Sequence, residues 1–236
     1  MCGRFNVSST PGLGELLRIL GVSIEPATAL NVAPTESVPL VRAFGDWQLA
    51  RWWLTPHWSD GPSQKYAMFN ARCETLARSR AYREPFARQR GVVPMSSFIE
   101  WRQEGDHKQP WRISNANDAL AVAALWDIWI PMQGEPLLSC TLVTTEAAPA
   151  FRPWHARMPV LLTAQEALRW LDNQHPLAPD DPLFRPALKF DWRLEPVDRR
   201  ASNARNKRPE DQALIGEMVA LRSDDDNDRV PRDSRL

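Results

Sequence analysis

Tyrosine is almost missing from this 236-residue chain, with 2 residues, although tryptophan reaches 11. Cysteine is scarce as well: Cys2, Cys73 and Cys140 are the whole set of 3, and no two stand at a Cys-x-x-Cys spacing. An odd, scattered set excludes a disulfide framework and a zinc knuckle, and no cofactor or metal is expected. Excess charge is lacking too, since 29 basic residues meet 29 acidic ones. Overall charge therefore argues for no nucleic-acid partner, and any anion site must come from local clustering. No apolar run reaches the length of a membrane span. Arg4 and the polar stretch 6–9 stand where a signal peptide needs its apolar core. The expected location is thus the reducing cytoplasm or nucleoid, with no membrane partner.

What is present describes an ordinary globular chain, 43% hydrophobic and 25% charged. Its length suits one large domain with a substantial core. Most tryptophans are expected in that core, with some left as stacking platforms for bases. Basic residues do cluster locally, at Arg72, Arg78, Arg80, Arg83, Arg88 and Arg90, and again at Arg199, Arg200, Arg205, Lys207 and Arg208. A solvated helix face or loop explains each cluster as well as an anion site does.

Helix signals are few. Thr10 and Pro11 start a short helix through Leu20, with Gly21 as its stop. Thr163-Ala164-Gln165-Glu166 forms a capping box ahead of a second helix. A third helical stretch is predicted from Glu74 into the first basic cluster. Strands dominate elsewhere, over 37–44, 47–54, 98–103, 111–114, 120–129, 137–145, 158–162 and 190–197, with a Gly45-Asp46 turn and a Glu104-Gly105-Asp106 turn inside two hairpins. Many short strands, few helices and 21 prolines predict a compact, mostly-β, α+β domain. No internal repeat or linker divides the chain. Residues 223–236, rich in Asp and Arg, read as a tail with little to bury, which leaves 1–222 as the domain.

The N-terminus carries the sharpest chemical signal. Initiator methionine is removed when a small residue follows, so the mature chain is expected to begin at Cys2. A terminal cysteine bears an α-amine of pKa about 7.7–8.0 and a thiol of pKa about 8.5. Both are partly deprotonated near neutrality, as nucleophiles must be. Such a 1,2-aminothiol condenses with an aldehyde to an imine, which the sulfur closes to a five-membered thiazolidine. A short strand that happens to contain cysteine is the plainer reading. Three further polar groups stand out. Asn70 ends a predicted strand, Glu100 lies among Phe98, Ile99 and Trp101, and His155 precedes Ala156-Arg157-Met158-Pro159. A buried Glu100 has a raised pKa that suits a general acid, whereas a Glu on a wet strand face does not.

Five segments occur in order: Cys2-Gly3-Arg4-Phe5, Asn31-Val32-Ala33-Pro34-Thr35, Asn70-Ala71-Arg72 with Glu74-Thr75, Phe98-Ile99-Glu100-Trp101, and His155-Ala156-Arg157-Met158-Pro159. This series resembles the SOS-response-associated peptidase family of abasic-site processing proteins, from Cys2 to about Asn206. The resemblance implies a single mostly-β domain with a barrel-like core, a DNA-binding cleft, and a monomer. It implies Cys2 as the nucleophile that crosslinks to the ring-opened aldehyde of an abasic site in single-stranded DNA. Asn70 would position the terminal amine, Glu100 would act as acid and base, and His155 would assist ring opening. Arg4, Arg72 and Arg157 match phosphate-holding positions, and Trp58 and Trp101 match aromatics near the DNA groove. The chain departs from the family at Ala156, where Asp is usual, at Met95-Ser96-Ser97, where Gly and Tyr tend to occur, at Cys73, and in a loosely matching Ser202-Asn203-Ala204-Arg205-Asn206.

Other classes of function remain open at this point. Glutamine amidotransferases of the N-terminal-nucleophile type also open Met-Cys-Gly, but their Gly-His-Thr-Arg and Asn-Gly-Asp motifs are missing. A non-catalytic single-strand binder would use only Trp and Arg. A thiol peptidase would do no more than remove Met1.

Overall fold

The computed structural model describes residues 2–23 and 26–224. In chain order its strands and helices are β1 (Phe5–Val7), α1 (Pro11–Ile19), β2 (Ala29–Val32), β3 (Ser37–Ala43), β4 (Asp46–Trp52) and β5 (Asn70–Arg72). Then come α2 (Arg83–Arg88), β6 (Arg90–Met95), β7 (Ser97–Glu104), β8 (His107–Asn115), β9 (Leu120–Trp129) and β10 (Leu137–Glu146). The series ends with β11 (Arg157–Pro159), β12 (Leu161–Leu162), α3 (Ala164–Leu171), β13 (Trp192–Pro196) and β14 (Val219–Leu221).

Five of these strands close into a barrel in the order β10–β4–β3–β6–β9, with β9 returning to β10. Closure removes the exposed edges that an open sheet must otherwise protect. β9 accounts for much of this. Its run from Leu120 to Leu125 is wholly buried, as expected of a strand covered on both faces. Gly91 lets β6 approach β3, because a Cβ there would lie 2.9 Å from the Val41 carbonyl oxygen. Gly45, at φ +76°, makes the tight β3–β4 turn that a left-handed residue allows. β10 is also the strand on which the site is hung. It takes β5 alongside in parallel (Leu142 opposite Asn70) and β11 antiparallel (Glu146 opposite Arg157).

A second sheet runs β14–β13–β8–β7–β1–β2. The N-terminal strand is therefore interior to it, pairing with β2 on one side and β7 on the other, Phe5 opposite Phe98. Aromatic rings fill the space between sheet and barrel. Phe5 packs on Trp52 at 4.9 Å between centroids, and Phe151 on Trp192 at 4.9 Å. Trp52, Trp170 and Trp192 are fully buried, as expected for most of the tryptophans.

Both predicted caps form. Thr10 accepts from the Leu13 N–H, and Thr163 and Glu166 satisfy each other's backbone donors at the start of α3. The helix predicted from Glu74 does not form as drawn. Residues Cys73–Thr75 make a single 3-10 turn and α2 has only 6 residues. The intervening segment buries only Leu76 and Tyr82, at its two ends, while Ala77, Arg78 and Arg80 between them are exposed, so no continuous apolar stripe supports a longer helix. The predicted 158–162 strand is two pieces, β11 paired with β10 and β12 with β9. Of the segment read as a tail, Ser223 donates to Asp191 and Asp224 to the Leu188 carbonyl, and 225–236 lie outside the described residues.

Candidate active site

Strand pairing sets the site. The Ile99 N–H donates to the Arg4 carbonyl at 2.9 Å, carrying the β1–β7 pairing toward the N-terminus. That contact brings Cys2 beside the stretch of β7 that carries Glu100. From the other side β5 delivers Asn70, whose Nδ2 donates to the Cys2 carbonyl at 2.8 Å. Among the described residues the buried Asn70 Oδ1 has no hydrogen-bond partner. An unpaired acceptor in such a position is costly to the fold and available to a donor.

Cys2 is 0% exposed, and its thiol faces the Arg4 carbonyl at 3.8 Å. Burial pushes this thiol far up from its ordinary value, and the nearby Glu100 charge pushes it further. It is therefore a thiol, not a thiolate, at neutral pH, and sulfur chemistry here must be coupled to a proton acceptor. Glu100 is 3% exposed, and burial raises its carboxyl above the usual range. The His155 charge and the Trp101 backbone N–H pull it partly back.

His155 sits in the loop between β10 and β11, half-buried. Its Nδ1 lies 2.9 Å from both the backbone N–H and the carbonyl of Arg157. Either neutral tautomer thus has a partner, so Nε2 can hold or release a proton without breaking the turn. Glu100, Trp101, Lys108 and His155 line one open pocket. Arg4 borders it through Trp101, its guanidinium 5.7 Å from the ring centroid, and the Trp101 Nε1 donates to Ser202 Oγ at 3.0 Å. Burial lowers the Arg4 pKa, with Glu36 opposing.

The remaining sequence-predicted residues stand in different situations. Arg157 is locked in a two-pronged pair with Glu74, at 2.6 and 3.0 Å, and also donates to the Thr144 carbonyl. Its charge is already used in fastening β11 to β10. Arg72, on β5, is exposed and has no acidic partner among the described residues. Trp58 lies away from this pocket, 42% exposed, with the Arg80 guanidinium 4.0 Å above its ring. It lines a separate apolar pocket with Leu54, Pro56, Tyr66 and Met68. Cys73 and Cys140 are buried free thiols. Among the described residues, no cluster of His, Cys, Asp or Glu could hold a metal ion, and no helix is long and apolar enough to cross a membrane.

Sequence reasoning missed the supporting layer. Asn6 and Gln212 exchange side-chain hydrogen bonds of 2.8 and 3.0 Å across 206 residues, and both are buried. Asn31, singled out only as part of a motif, is fully buried at φ +52°. Its left-handed backbone is a conformation asparagine tolerates better than most residues, the one local signal that could have marked it. Lys108 enters the pocket from β8 with no signal in its own segment.

Comparison with known proteins follows the same outline. The family model described as SOS response associated peptidase matches residues 1–204. The abasic site processing protein YoqW of Bacillus subtilis is 30% identical over 222 residues, covering 89% of this chain and 98% of that protein. YoaM from the same organism, of the same description, is 33% identical over 185 residues, 74% of this chain and 81% of its own. The abasic site processing protein HMCES of Gallus gallus is 32% identical over 186 residues, 68% of this chain and 55% of its own. Among solved structures, a protein from Bacteroides thetaiotaomicron superimposes with a TM-score of 0.73 at 23% identity, covering 89% of this chain and 99% of that one. At that identity the likeness speaks for the fold alone.

Proposed function

Because this chain belongs to the SOS response associated peptidase (SRAP) family, we propose that it processes abasic sites in single-stranded DNA by capping them covalently through Cys2. The relatives named for abasic-site processing motivate the substrate. The observation that carries the reading is the seating of Cys2: its carbonyl is held by Asn70 while its thiol lies in the field of the buried Glu100.

Removal of Met1, by this thiol or by an aminopeptidase, frees the Cys2 α-amine. The lesion's closed hemiacetal opens when an acid protonates the ring oxygen and a base takes the hydroxyl proton, roles that His155 and Glu100 fill in either order. The amine then adds to the aldehyde carbon and water leaves, giving an imine. The Cys2 sulfur adds to the imine carbon, its proton passes to Glu100, and the imine nitrogen gains one proton. The product is a neutral thiazolidine. The free Asn70 Oδ1 supplies an acceptor for the amine before the reaction and for the ring N–H after it. Arg4 and Arg72 hold flanking phosphates, Trp101 and Trp58 offer ring faces for bases, and Arg157 contributes mainly by fixing the turn that orients His155.

A denaturing gel of the protein with a single-stranded oligonucleotide bearing one abasic site tests this. A shifted band is expected with that DNA and not with intact DNA. No band from protein whose N-terminus is verified as Cys2 would overturn the proposal.

Glu100→Gln carries a two-sided expectation. Crosslinking should slow by about 100-fold or more, because a proton-transfer group is lost. Stability should move the opposite way. A carboxyl whose pKa is raised in the native state keeps its proton there after the unfolded carboxyl, at about 4.3, has lost its own. Stability therefore falls as pH rises through that window, and the full cost stands above it. The Gln variant should be more stable at pH 8 by about 1 kcal/mol, a rise of about 2–4 °C in Tm, and lose that advantage below about pH 4. Thermal melts at the two pH values check it, and an equal or lower Tm at pH 8 refutes the buried-charge assignment.

A further inference from the structure

The second basic cluster found in the sequence, residues 199–208, has a place in the fold that a solvated loop does not need. It is braced at four points. Ala201 is buried against Ile99 and Val197, with Trp101 packed on the same small cluster. Asn31, fully buried, reaches three carbonyls of the loop, those of Ala201, Asn203 and Asn206, at 2.9–3.0 Å with its amide nitrogen. Lys207 is clamped by the Asn31 carbonyl and both Glu36 oxygens. Ser202 accepts from Trp101.

Within this braced loop the charges divide into two kinds. Arg200 is spent on Asp198, Asp211 and the Glu210 carbonyl, Lys207 on Glu36, and Arg208 faces Glu210 at 3.7 Å. Arg199 and Arg205 are exposed and have no acidic partner among the described residues. Two uncompensated guanidinium groups on a braced loop meet an anion without the cost of ordering the backbone, leaving only that of their side chains. Their position matters as much. The loop touches Trp101, which lines the Glu100–His155 pocket, and Lys207 shares Glu36 with the field acting on Arg4. Trp101 thus joins the pocket to the loop, with the Arg4 guanidinium over its ring and Ser202 of the loop on its Nε1.

We propose that Arg199 and Arg205 form a phosphate-binding site on this loop, which holds the backbone of the DNA strand leading away from the lesion. This rests on the covalent-capping reading for its ligand, single-stranded DNA, and adds the direction in which the strand runs: past Trp101 and over the Asn31-braced loop. Bases on that stretch need no specific recognition, since guanidinium groups read only the backbone.

The test is the salt dependence of binding to an intact single-stranded oligonucleotide, followed by fluorescence anisotropy, for the unaltered protein and for Arg199→Gln/Arg205→Gln. Each phosphate contact contributes about 0.7 to the slope of log affinity against log salt. Losing two should reduce the slope by about 1.4, so between 50 and 200 mM salt the unaltered protein should lose about sevenfold more affinity than the variant. Arg18→Gln/Arg222→Gln is the charge-matched control. Those arginines are already paired with Glu15 and Asp191, and their loss should leave the slope unchanged. A slope in the loop variant equal to that of the unaltered protein overturns the inference, as does an equal fall in the control, which would make the effect one of net charge. The abasic-site gel run in parallel separates the two readings: absence of a covalent band removes the capping chemistry, while the slope alone judges the loop.

Discussion

Replacing Cys2 by serine is expected to leave no denaturant-resistant band on abasic DNA. The side chains are near in size, and the hydroxyl would face the same Arg4 carbonyl that the thiol faces at 3.8 Å, so the N-terminal strand should keep its place beside β7. The terminal amine also remains, held through the Asn70–Cys2 carbonyl contact that serine preserves in kind. What disappears is ring closure. An alcohol is a weaker nucleophile than a thiol, and the oxygen ring it would form reopens readily, so the variant stops at the imine, which water reverses. Borohydride, which reduces an imine to a stable amine, should therefore restore a band for Cys2→Ser. Without reductant the loss should be complete within detection. A variant band equal to that of the unaltered protein would remove the sulfur from the mechanism. A variant with no band even after borohydride would move the fault to the amine.

Arg90→Met is the change expected to damage the fold most. Arg90 is fully buried and forms no ion pair among the described residues; the Asp172 charge acts on it from further off, and its head is surrounded by carbonyl oxygens. Nε donates to Trp170 at 2.9 Å, Nη1 to Phe86 and Ala87 at 3.0 and 3.2 Å, and Nη2 to Asp172 and to His175 at 2.9 Å. Four of those oxygens belong to the C-terminal ends of α2 and α3, where helices leave their last carbonyls unpaired, and that of His175 to the turn after α3. One guanidinium thus ties two short helices to β6. Methionine fills much of the volume but donates nothing, leaving the buried Trp170 and Phe86 carbonyls without this donor, while those of Ala87, Asp172 and His175 lie on exposed residues that water reaches. With about 1–3 kcal/mol for each group that finds no water, a total loss of about 4 kcal/mol is expected. For a chain of this size that lowers Tm by on the order of 10 °C. Arg90→Lys should recover only part, since an ammonium has three donors on one atom and cannot span the same fork. Circular dichroism melts decide this, and a Met variant within about 1 kcal/mol of the unaltered protein would show that water replaces the arginine.

Arg90 also marks how far local reading goes. In the sequence it is one of six arginines between 72 and 90, and nothing local separates it from Arg72 or Arg88. In the fold Arg72 and Arg88 are exposed and Arg90 is buried. The difference arises because β6 passes between the ends of two helices, one of them some 80 residues later in the chain. Local signals succeeded where the physics is local. The Gly45 turn, the Thr10 and Thr163 caps and the long apolar run of β9 each depend on neighbours within a few residues, and each formed. Closure of the barrel was implied by resemblance and by nothing in the strands themselves. The β10–β4 contact that completes it is parallel and joins residues some 88 apart, Ser139 beside Arg51, with no turn to announce it.

The site divides in the same way. Which atoms are available for chemistry follows from covalent structure: a thiol at Cys2, a carboxyl at Glu100, an imidazole at His155 and an amide at Asn70. A reader of the chain can name them because residue type and order are all that is required. How those groups behave follows from surroundings assembled out of distant segments. Burial keeps the Cys2 thiol protonated and raises Glu100, the Glu74 fork occupies Arg157, and Asn31 stiffens a loop some 170 residues away while two of its arginines stay uncompensated. Proton affinity and charge pairing depend on solvent exclusion and on distances of a few ångströms, and chain folding sets both.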